Sequence, residues 1–312
     1  MDIFLRSISG ILVILGMILV GFVIGEKGWF DDKSRGLLAK LVTQVALPCY
    51  MLYTITQRFT AADLLIMLPA LRFPALSMVI LLGIATGVAR IFAVRQDRRG
   101  LFISMFFNSN TIFVGLPINQ DLFGDASIPY VLIYYMCNTT FFWTLGTYLI
   151  QRDGEGEAQF DLKTSLKKVF SPPLMGFILG LVMVMLQIKL PAFLASDLQY
   201  LGNLTTPLSM IFIGLSVSHV GVKQLVLGKD QLLILLGRFL VAPLLMASIV
   251  YWLPLPSLMK QVFIIQSAMP VMTNAPVVAR LYGADSDYAA VMVTETTLAT
   301  MVVIPILMLL MA

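Results

Sequence analysis

Long apolar runs separated by short polar turns fill almost the whole chain. Because the hydrocarbon core of a bilayer is about 30 Å thick, a spanning helix needs roughly 20 apolar residues. Windows of that length predict an all-α protein that crosses the membrane ten times. The predicted spans are residues 7–25, 36–56, 64–89, 100–120, 128–150, 170–188, 197–218, 230–252, 258–280 and 287–311.

Two of these runs, LFISMFFNSNTIFVGLPI at 101–118 and QVFIIQSAMPVMTNAPVV at 261–278, carry polar and helix-breaking residues in their middle. In hydrocarbon, irregular backbone is tolerated only where it is buried in protein or lines a wet cavity. Two interrupted helices at corresponding places in two halves of a chain are typical of the binding site of a secondary transporter. The interrupting residues are Asn108, Ser109, Asn110, Thr111, Gly115 and Pro117 in the first run and Pro270, Thr273, Asn274 and Pro276 in the second.

Short sequence echoes support a duplication of the chain. FGDAS at 123–127 resembles YGADS at 282–286, and CNTT at 137–140 resembles TETT at 294–297, at nearly the same separation. Such self-similarity indicates an internal repeat. An odd number of spans in each half would give the two copies opposite orientations in the membrane. We therefore expect a first five-helix repeat at 1–150, a linker at 151–168 and an inverted second repeat at 169–312.

Composition and charge agree with a membrane protein. Apolar residues make up 59% of the chain and charged residues 12%, whereas soluble domains are about 25% charged. The net charge of +4 does not indicate a nucleic-acid partner, because Lys and Arg concentrate in the loops on one predicted side. The positive-inside rule then places both termini outside. We expect an integral protein of a bacterial inner membrane whose surrounding partner is the lipid bilayer.

Asn110 is the first candidate for substrate binding. Its amide offers both donors and an acceptor, and the N-terminus of a half-helix beside it would suit a carboxylate. The alternative is that such side chains only satisfy the broken backbone. The other substrate-binding candidates are Asn108, Thr111, Asn138, Thr273 and Asn274, and the residues expected to set the crossover geometry are Gly115, Pro117, Pro270 and Pro276.

Glu295 is the acidic residue inside an apolar run of the second half. A carboxylate at bilayer depth costs roughly 2.5–3.5 kcal/mol on insertion scales, so it is a functional candidate by default. With Thr294 and Thr297 it could carry a coupling H⁺ or hold Na⁺; the alternative is a structural hydrogen bond. Arg72 and Arg238, near or inside apolar runs, are predicted to extend to the membrane interface.

Several kinds of site are not supported by the sequence. It contains no phosphate-binding glycine loop, no HExxH, no GxSxG and no CxxC motif, so an enzyme is not indicated. We expect no cofactor and no metal site, since His219 is the one histidine. Cys49 and Cys137 lie inside apolar runs and are expected to be reduced thiols.

The interrupted segments resemble a known family. NTIFVGLPI at 110–118 is similar to the N-T-x-x-x-G-x-P signature of the auxin efflux carrier family, which includes bacterial organic-acid permeases and plant PIN carriers. AMPVMTNAPVVARLYG at 268–283 resembles the second crossover of that family, and LVTQVALPCYM at 41–51 and RFTAAD at 58–63 resemble its second and third helices.

This resemblance implies ten helices in two inverted repeats, with broken helices 4 and 9 crossing as in sodium–proton antiporters and bile-acid symporters. It also implies a scaffold of helices 1, 2, 6 and 7 and a transport part of helices 3–5 and 8–10 that moves like an elevator. By motif match, Asn110 would contact the substrate carboxylate. The family further suggests a homodimer.

The sequence and the resemblance together favour a secondary transporter of a small organic anion. Malate or malonate and an auxin-like indole acid remain open as substrates. An uncoupled uniporter or channel, and a membrane sensor that binds the ligand without moving it, are the alternatives.

Overall fold

The computed structural model describes residues 2–154, 170–220 and 228–311, and its regular elements there are all helices. The predicted linker at 151–168 lies almost wholly outside the described residues. The α-helices of the first half are α1 (Asp2–Glu26), α2 (Asp32–Leu41), α3 (Leu47–Arg58), α4 (Ala61–Met67), α5 (Arg72–Ile91), α6 (Arg99–Phe107), α7 (Gly115–Phe123), α8 (Ile128–Phe141) and α9 (Thr147–Asp153). Those of the second half are α10 (Pro172–Met185), α11 (Ala192–Asn203), α12 (Thr205–Val220), α13 (Lys229–Leu236), α14 (Ala242–Val250), α15 (Ser257–Ser267), α16 (Ala275–Tyr282) and α17 (Ser286–Met311).

Several helical stretches have the length and apolar character of membrane spans, which confirms the prediction of a helical protein that crosses the membrane repeatedly. Within the described ranges, five continuous stretches qualify: Lys33–Arg58, Pro69–Ile91, Ala192–His219, Lys229–Val250 and Ser286–Met311. Shorter apolar helices cover Val13–Glu26 and Pro172–Met185.

Prolines inside two of these stretches are accommodated by a turn of π-helix. Proline lacks an N–H and its ring crowds the carbonyl four residues earlier, so it normally kinks or ends a helix. The π turn Val42–Ala46 lies directly before α3, which begins with Leu47 and Pro48. The π turn Gly237–Val241 similarly precedes Pro243 in α14. The extra residue in the turn lets the helix continue past the proline.

Glycines bring the backbones of α1 and α12 into close contact. A Cβ atom added to Gly21 would lie 2.3 Å from the carbonyl oxygen of Ile211, and one added to Gly214 would lie 2.1 Å from that of Ile18. Small residues at helix interfaces permit this approach in membrane proteins. The helices α10 and α11 pack against α3 in the same way, through Gly176 and Gly202.

The remaining helices pack around the two interrupted runs. Their ends next to the linker are held together by polar contacts, and we call this face of the molecule the linker side. There the Arg98 guanidinium lies 2.7 Å from the Asp230 carboxylate. The Asp153 carboxylate accepts the N–H groups of Gly100 and Leu101 at the start of α6, at 2.9 and 2.6 Å.

Replacing Gly21 with alanine should separate α1 from α12, because the new methyl group meets backbone atoms that cannot rotate away. We expect a loss of about 1–3 kcal/mol in stability, measured as a lower melting temperature of the purified protein. Gly16→Ala is the matched control on the same helix, since a Cβ there meets no heavy atom within 4 Å. Equal melting temperatures for the two variants would contradict the packing of α1 on α12.

Candidate functional site

Both interrupted runs break inside the protein and meet each other. Helix α6 ends at Phe107 and α7 begins at Gly115, while α15 ends at Ser267 and α16 begins at Ala275. The unwound segments run antiparallel, with Ser109 opposite Val271. The N–H of Asn110 donates to the carbonyl of Pro270 at 2.8 Å. We call this contact region, residues 108–114 and 268–274, the crossover.

Glycine and proline explain where the helices restart. Pro117 and Pro276 lie in the first turns of α7 and α16, where a backbone N–H has no partner within the helix. Gly115 allows α7 to approach α15, because a Cβ at that position would lie 2.3 Å from the Gln266 side-chain oxygen. Pro270 lies in the second unwound segment and contributes only its carbonyl group to the crossover.

Arg238 is completely buried at the crossover, so the prediction that it extends to the membrane interface is wrong. Its guanidinium donates to the carbonyl of Phe106 at 3.1 Å, to that of Met269 at 3.1 Å, and to that of Ser267. These carbonyls lie at the ends of α6 and α15, where a helix leaves acceptors without intrahelical donors. The need for donors there explains the buried cation. Arg72, by contrast, is exposed.

Side chains from two other helices satisfy the unwound backbone. The Asn138 side chain of α8 accepts the Ser109 N–H at 2.9 Å and donates to the Ser109 carbonyl at 2.7 Å. The Thr296 hydroxyl of α17 accepts the Val271 N–H at 3.0 Å. Asn138 is fully buried and does not line the adjoining cavity, so its contact is with the backbone.

A cavity of about 310 Å³ adjoins the crossover. Its wall includes Phe170 and Ser171, the first described residues after the linker, so it lies toward the linker side. We call it the central cavity. Its wall is formed by Thr43, Gln44, Leu47, Ser109, Asn110, Thr111, Ile112, Phe113, Tyr135, Thr139, Trp143, Phe170, Ser171, Pro172, Pro173, Met272, Thr273 and Asn274.

Asn110 is the polar group best placed to bind a ligand in this cavity. Its side-chain oxygen accepts the Phe113 N–H at 3.1 Å. The nitrogen Nδ2 is buried and has no hydrogen-bond partner in the described part of the chain. The Thr139 hydroxyl, also on the wall, is likewise buried and has no hydrogen-bond partner among the described residues. Two donors are thus available beside the starts of α7 and α16.

The sequence predictions named some of the residues on this wall and missed others. Four of the substrate-binding candidates lie on its wall: Asn110, Thr111, Thr273 and Asn274. Asn108 is buried but bonds to the Ser104 carbonyl at 3.2 Å and is not on the wall. Thr139, Tyr135 and Trp143 were missed. The repeated motif CNTT offered a signal for Thr139 alone, because Thr139 directly follows Asn138 in it.

Among the residues that the structure describes, the wall of the central cavity contains no Asp, Glu, Lys, Arg or His. Its electrostatic character therefore comes from neutral groups and helix ends. The N-terminus of an α-helix carries roughly half a positive charge. With α7 and α16 both starting here, the cavity combines two positive helix ends with neutral donors.

The candidates for ion coupling do not converge on one cavity. Glu295 is 7% exposed within α17. Thr294 lines a second cavity of about 320 Å³ together with Arg35, His219 and Arg280, and Thr273 contributes to the walls of both this cavity and the central one. Thr297 instead lines a small, mostly apolar cavity of about 20 Å³. Thr294 and Thr297 therefore line different cavities.

Away from the linker side, the crossover is covered by an apolar cluster. It joins α1 and α12 to α7, α15 and α17. We call it the apolar seal; its buried members are Ile14, Ile18, Val114, Ile118, Met210, Ile213, Ile265, Ala268, Met269 and Ile304. The small cavity near Thr297 lies among these residues.

Residues 7–308 match the family described as membrane transport protein. The chain belongs to this family, the auxin efflux carriers. It is therefore an integral membrane transporter and not an enzyme.

Two archaeal proteins are similar along nearly their whole length. An uncharacterized transporter of Methanocaldococcus jannaschii is 27% identical over 299 residues, which cover 94% of this chain and 95% of the relative. An uncharacterized transporter of Methanothermobacter thermautotrophicus is 28% identical over 311 residues, covering 97% of this chain and 98% of the relative. Both names describe transporters, in agreement with the family.

Asn138→Leu should destabilise the crossover, because it leaves the N–H and C=O of Ser109 without their partner in a buried place. We expect a loss of at least about 2 kcal/mol, measured by thermal unfolding of the purified transporter. The control is Thr140→Ala, two residues away, whose hydroxyl bonds to the Met136 carbonyl of its own helix. If Asn138→Leu melts no lower than this control, Asn138 does not support the crossover.

Proposed function

We propose that this transporter is a secondary carrier of a small organic anion whose carboxylate binds at the crossover. The observation that supports this most directly is the buried, unpartnered Nδ2 of Asn110 on the wall of the central cavity. A buried donor without a partner costs about 1–3 kcal/mol. A ligand oxygen that accepts from it would recover that energy.

The surroundings of Asn110 favour a negatively charged oxygen over a neutral one. The starts of α7 and α16 bring two positive dipole ends to the crossover. Anions bind readily at such helix ends, and transporters use half-helix N-termini in the same way. Thr139, Thr273 and Asn274 add neutral polar groups to the wall.

The rest of the wall suits an organic body. Its apolar side chains include Leu47, Ile112, Phe113, Trp143 and Phe170. A volume of about 310 Å³ lies at the lower end of the range for small-molecule sites. A small carboxylic acid of the malate or indole-acid size is therefore compatible with the cavity.

We further propose that the chain forms ten spans in two inverted repeats and works by elevator-type alternating access. Support comes from the paired interruptions and from their ends, since Gly124 after α7 and Gly283 after α16 both have positive φ, of 70° and 72°. The cavity lies toward the linker side, whereas the apolar seal covers the crossover elsewhere. With both termini outside, this arrangement corresponds to an inward-facing state.

A uniporter without ion coupling is the second candidate, and one observation favours it. The described wall of the central cavity has no Asp, Glu, Lys, Arg or His that could exchange a proton with the substrate. Coupling would then depend on Glu295, outside that wall. Uphill accumulation of substrate in proteoliposomes under an imposed H⁺ or Na⁺ gradient separates a coupled carrier from a uniporter. Ligand binding with zero flux would indicate a sensor instead.

Asn110→Asp should abolish high-affinity binding while leaving the fold intact. Aspartate keeps an oxygen for the Phe113 N–H but loses the donor and adds a negative charge. We expect the KM for carboxylate uptake into proteoliposomes to rise about 10- to 100-fold or more. The melting temperature should stay near that of the wild type.

Asn110→Ala separates the two roles of this side chain, because alanine loses both the ligand donor and the cap on Phe113. It should lower affinity and stability together. Wild-type uptake by either variant, in protein that folds normally, would reject the site.

Glu295→Gln should change the pH or Na⁺ dependence of transport if this carboxylate carries the coupling ion. The expected result is loss of gradient-driven accumulation, with downhill exchange preserved. Asp287→Asn, an exposed acidic position in the first turn of the same helix, is the control. Unchanged ion dependence in Glu295→Gln would remove Glu295 from the coupling role.

A further inference from the structure

Arg238 is a buried cation that is balanced by helix ends and not by a carboxylate. The ion pairs found in the described part of the chain join Arg58 to Asp125, Arg95 to Asp97 and Arg98 to Asp230, and none includes Arg238. Its Nε, Nη1 and Nη2 atoms all donate to backbone carbonyls. The Tyr134 side chain interacts electrostatically with Arg238.

This arrangement has a definite charge balance. A buried ion without compensation costs several kcal/mol, so a cation with zero exposure must face negative charge. The C-terminus of an α-helix carries roughly half a negative charge. The ends of α6 and α15 together supply about one negative charge, which matches the single positive charge of the guanidinium.

The partial positive charges at the N-termini of α7 and α16 are consequently not cancelled. Without a cation, the two C-termini and two N-termini at the crossover would cancel. Because Arg238 neutralises the C-termini, the N-termini of α7 and α16 leave about one positive charge beside the central cavity. No charged side chain on the described wall offsets it.

Glu295 is the buried acidic residue whose charge could alter this balance. It does not line the central cavity, and its charge acts on Tyr288, nearer the start of α17. Its neighbour Thr296 contacts the crossover through Val271. The groups shown to meet at the crossover, Arg238 and the four helix ends, therefore set the charge balance beside the central cavity.

We propose that Arg238 is a positioning residue that gives the site a net charge of about +1, so that the transporter selects ligands with a single negative charge. This rests on the proposed function. It assigns the substrate to the monocarboxylates and argues against dicarboxylates, because a second carboxylate would find no cation on the described wall. That wall instead offers the aromatic rings of Phe113, Trp143 and Phe170.

The test compares matched ligands on the wild type. Phenylacetate, its uncharged analogue phenylacetamide and the dianion phenylmalonate share one ring and differ in charge; acetate with malonate and benzoate with phthalate extend the series. Ligands that bind the folded state raise its melting temperature. We expect monocarboxylates to bind about tenfold more tightly than the matched amide or dianion.

The outcomes for the wild type separate this inference from the proposed function. If no carboxylate binds, or if amides bind as well as acids, the proposed function fails and this inference fails with it. If dicarboxylates bind as well as or better than their monocarboxylate partners, the anion site stands and the charge assignment to Arg238 is overturned.

Arg238→Gln and Arg238→Lys then test the residue itself. Glutamine removes the charge, so monocarboxylate affinity should fall about tenfold or more while amide affinity changes little. Lysine keeps the charge, but its single ammonium group cannot bond to the carbonyls of both helices as the forked guanidinium does. The lysine variant should therefore keep the preference for anions but be less stable than the wild type. Equal losses for acid and amide, with no rescue by lysine, would show a purely structural role and overturn the proposal.

Asn274→Asp keeps the test decisive if the Arg238 variants do not fold. This position lies on the cavity wall at the start of α16, where aspartate is a favourable helix cap. The added negative charge should cancel the site charge and remove monocarboxylate binding, whereas amide binding persists. Asn274→Ala is the control for lost contacts. Undiminished monocarboxylate binding by Asn274→Asp would contradict the charge balance.

Discussion

The structure depends on how the backbone groups freed at the crossover find partners. In a low-dielectric interior, each buried N–H or C=O left alone costs about 1–3 kcal/mol, and no water is at hand in hydrocarbon. Arg238, Asn138 and Thr296 supply these partners from the π turn between α13 and α14, from α8 and from α17. The crossover is consequently not a local defect in two helices. It is the point at which most of the surrounding helices are joined.

The backbone groups at the C-terminal helix ends have partners within the protein, whereas the N-terminal helix ends adjoin the cavity. The C-terminal carbonyls of α6 and α15 are bound by a side chain of the protein itself. The N-terminal ends of α7 and α16 instead adjoin the cavity, where Asn110 retains an unpartnered donor. This asymmetry leaves an unpartnered donor beside the cavity, which is the basis of the proposed binding site.

The sequence was sufficient to predict the interrupted runs, since glycine, proline and asparagine act through local backbone geometry. Its long apolar runs were sufficient to predict the helical membrane architecture. It was insufficient for Arg238. An arginine in an apolar run either extends to the membrane interface or is buried with partners, and only tertiary contacts distinguish the two. The distance of Arg238 from the end of its helix could have decided between them. Arg238 follows the helix start at Lys229 by roughly 13 Å of helical rise, too far for a side chain to reach the interface easily. Asn138 was noticed through the repeat, but its partner, the Ser109 backbone, could not be read from any sequence pattern.

The distribution of polar and apolar contacts also restricts how the proposed alternating access can proceed. Arg238 bonds to the ends of both α6 and α15, so separating these helices would expose carbonyls that hydrocarbon cannot satisfy. The apolar seal between α1 and α12 on one side and α7, α15 and α17 on the other is held by contacts between apolar side chains. Apolar side chains can slide past one another and exchange partners at little cost in hydrogen bonding. Motion is therefore cheapest along the seal, and the crossover, with its cation and its two half-helices, would move as one body.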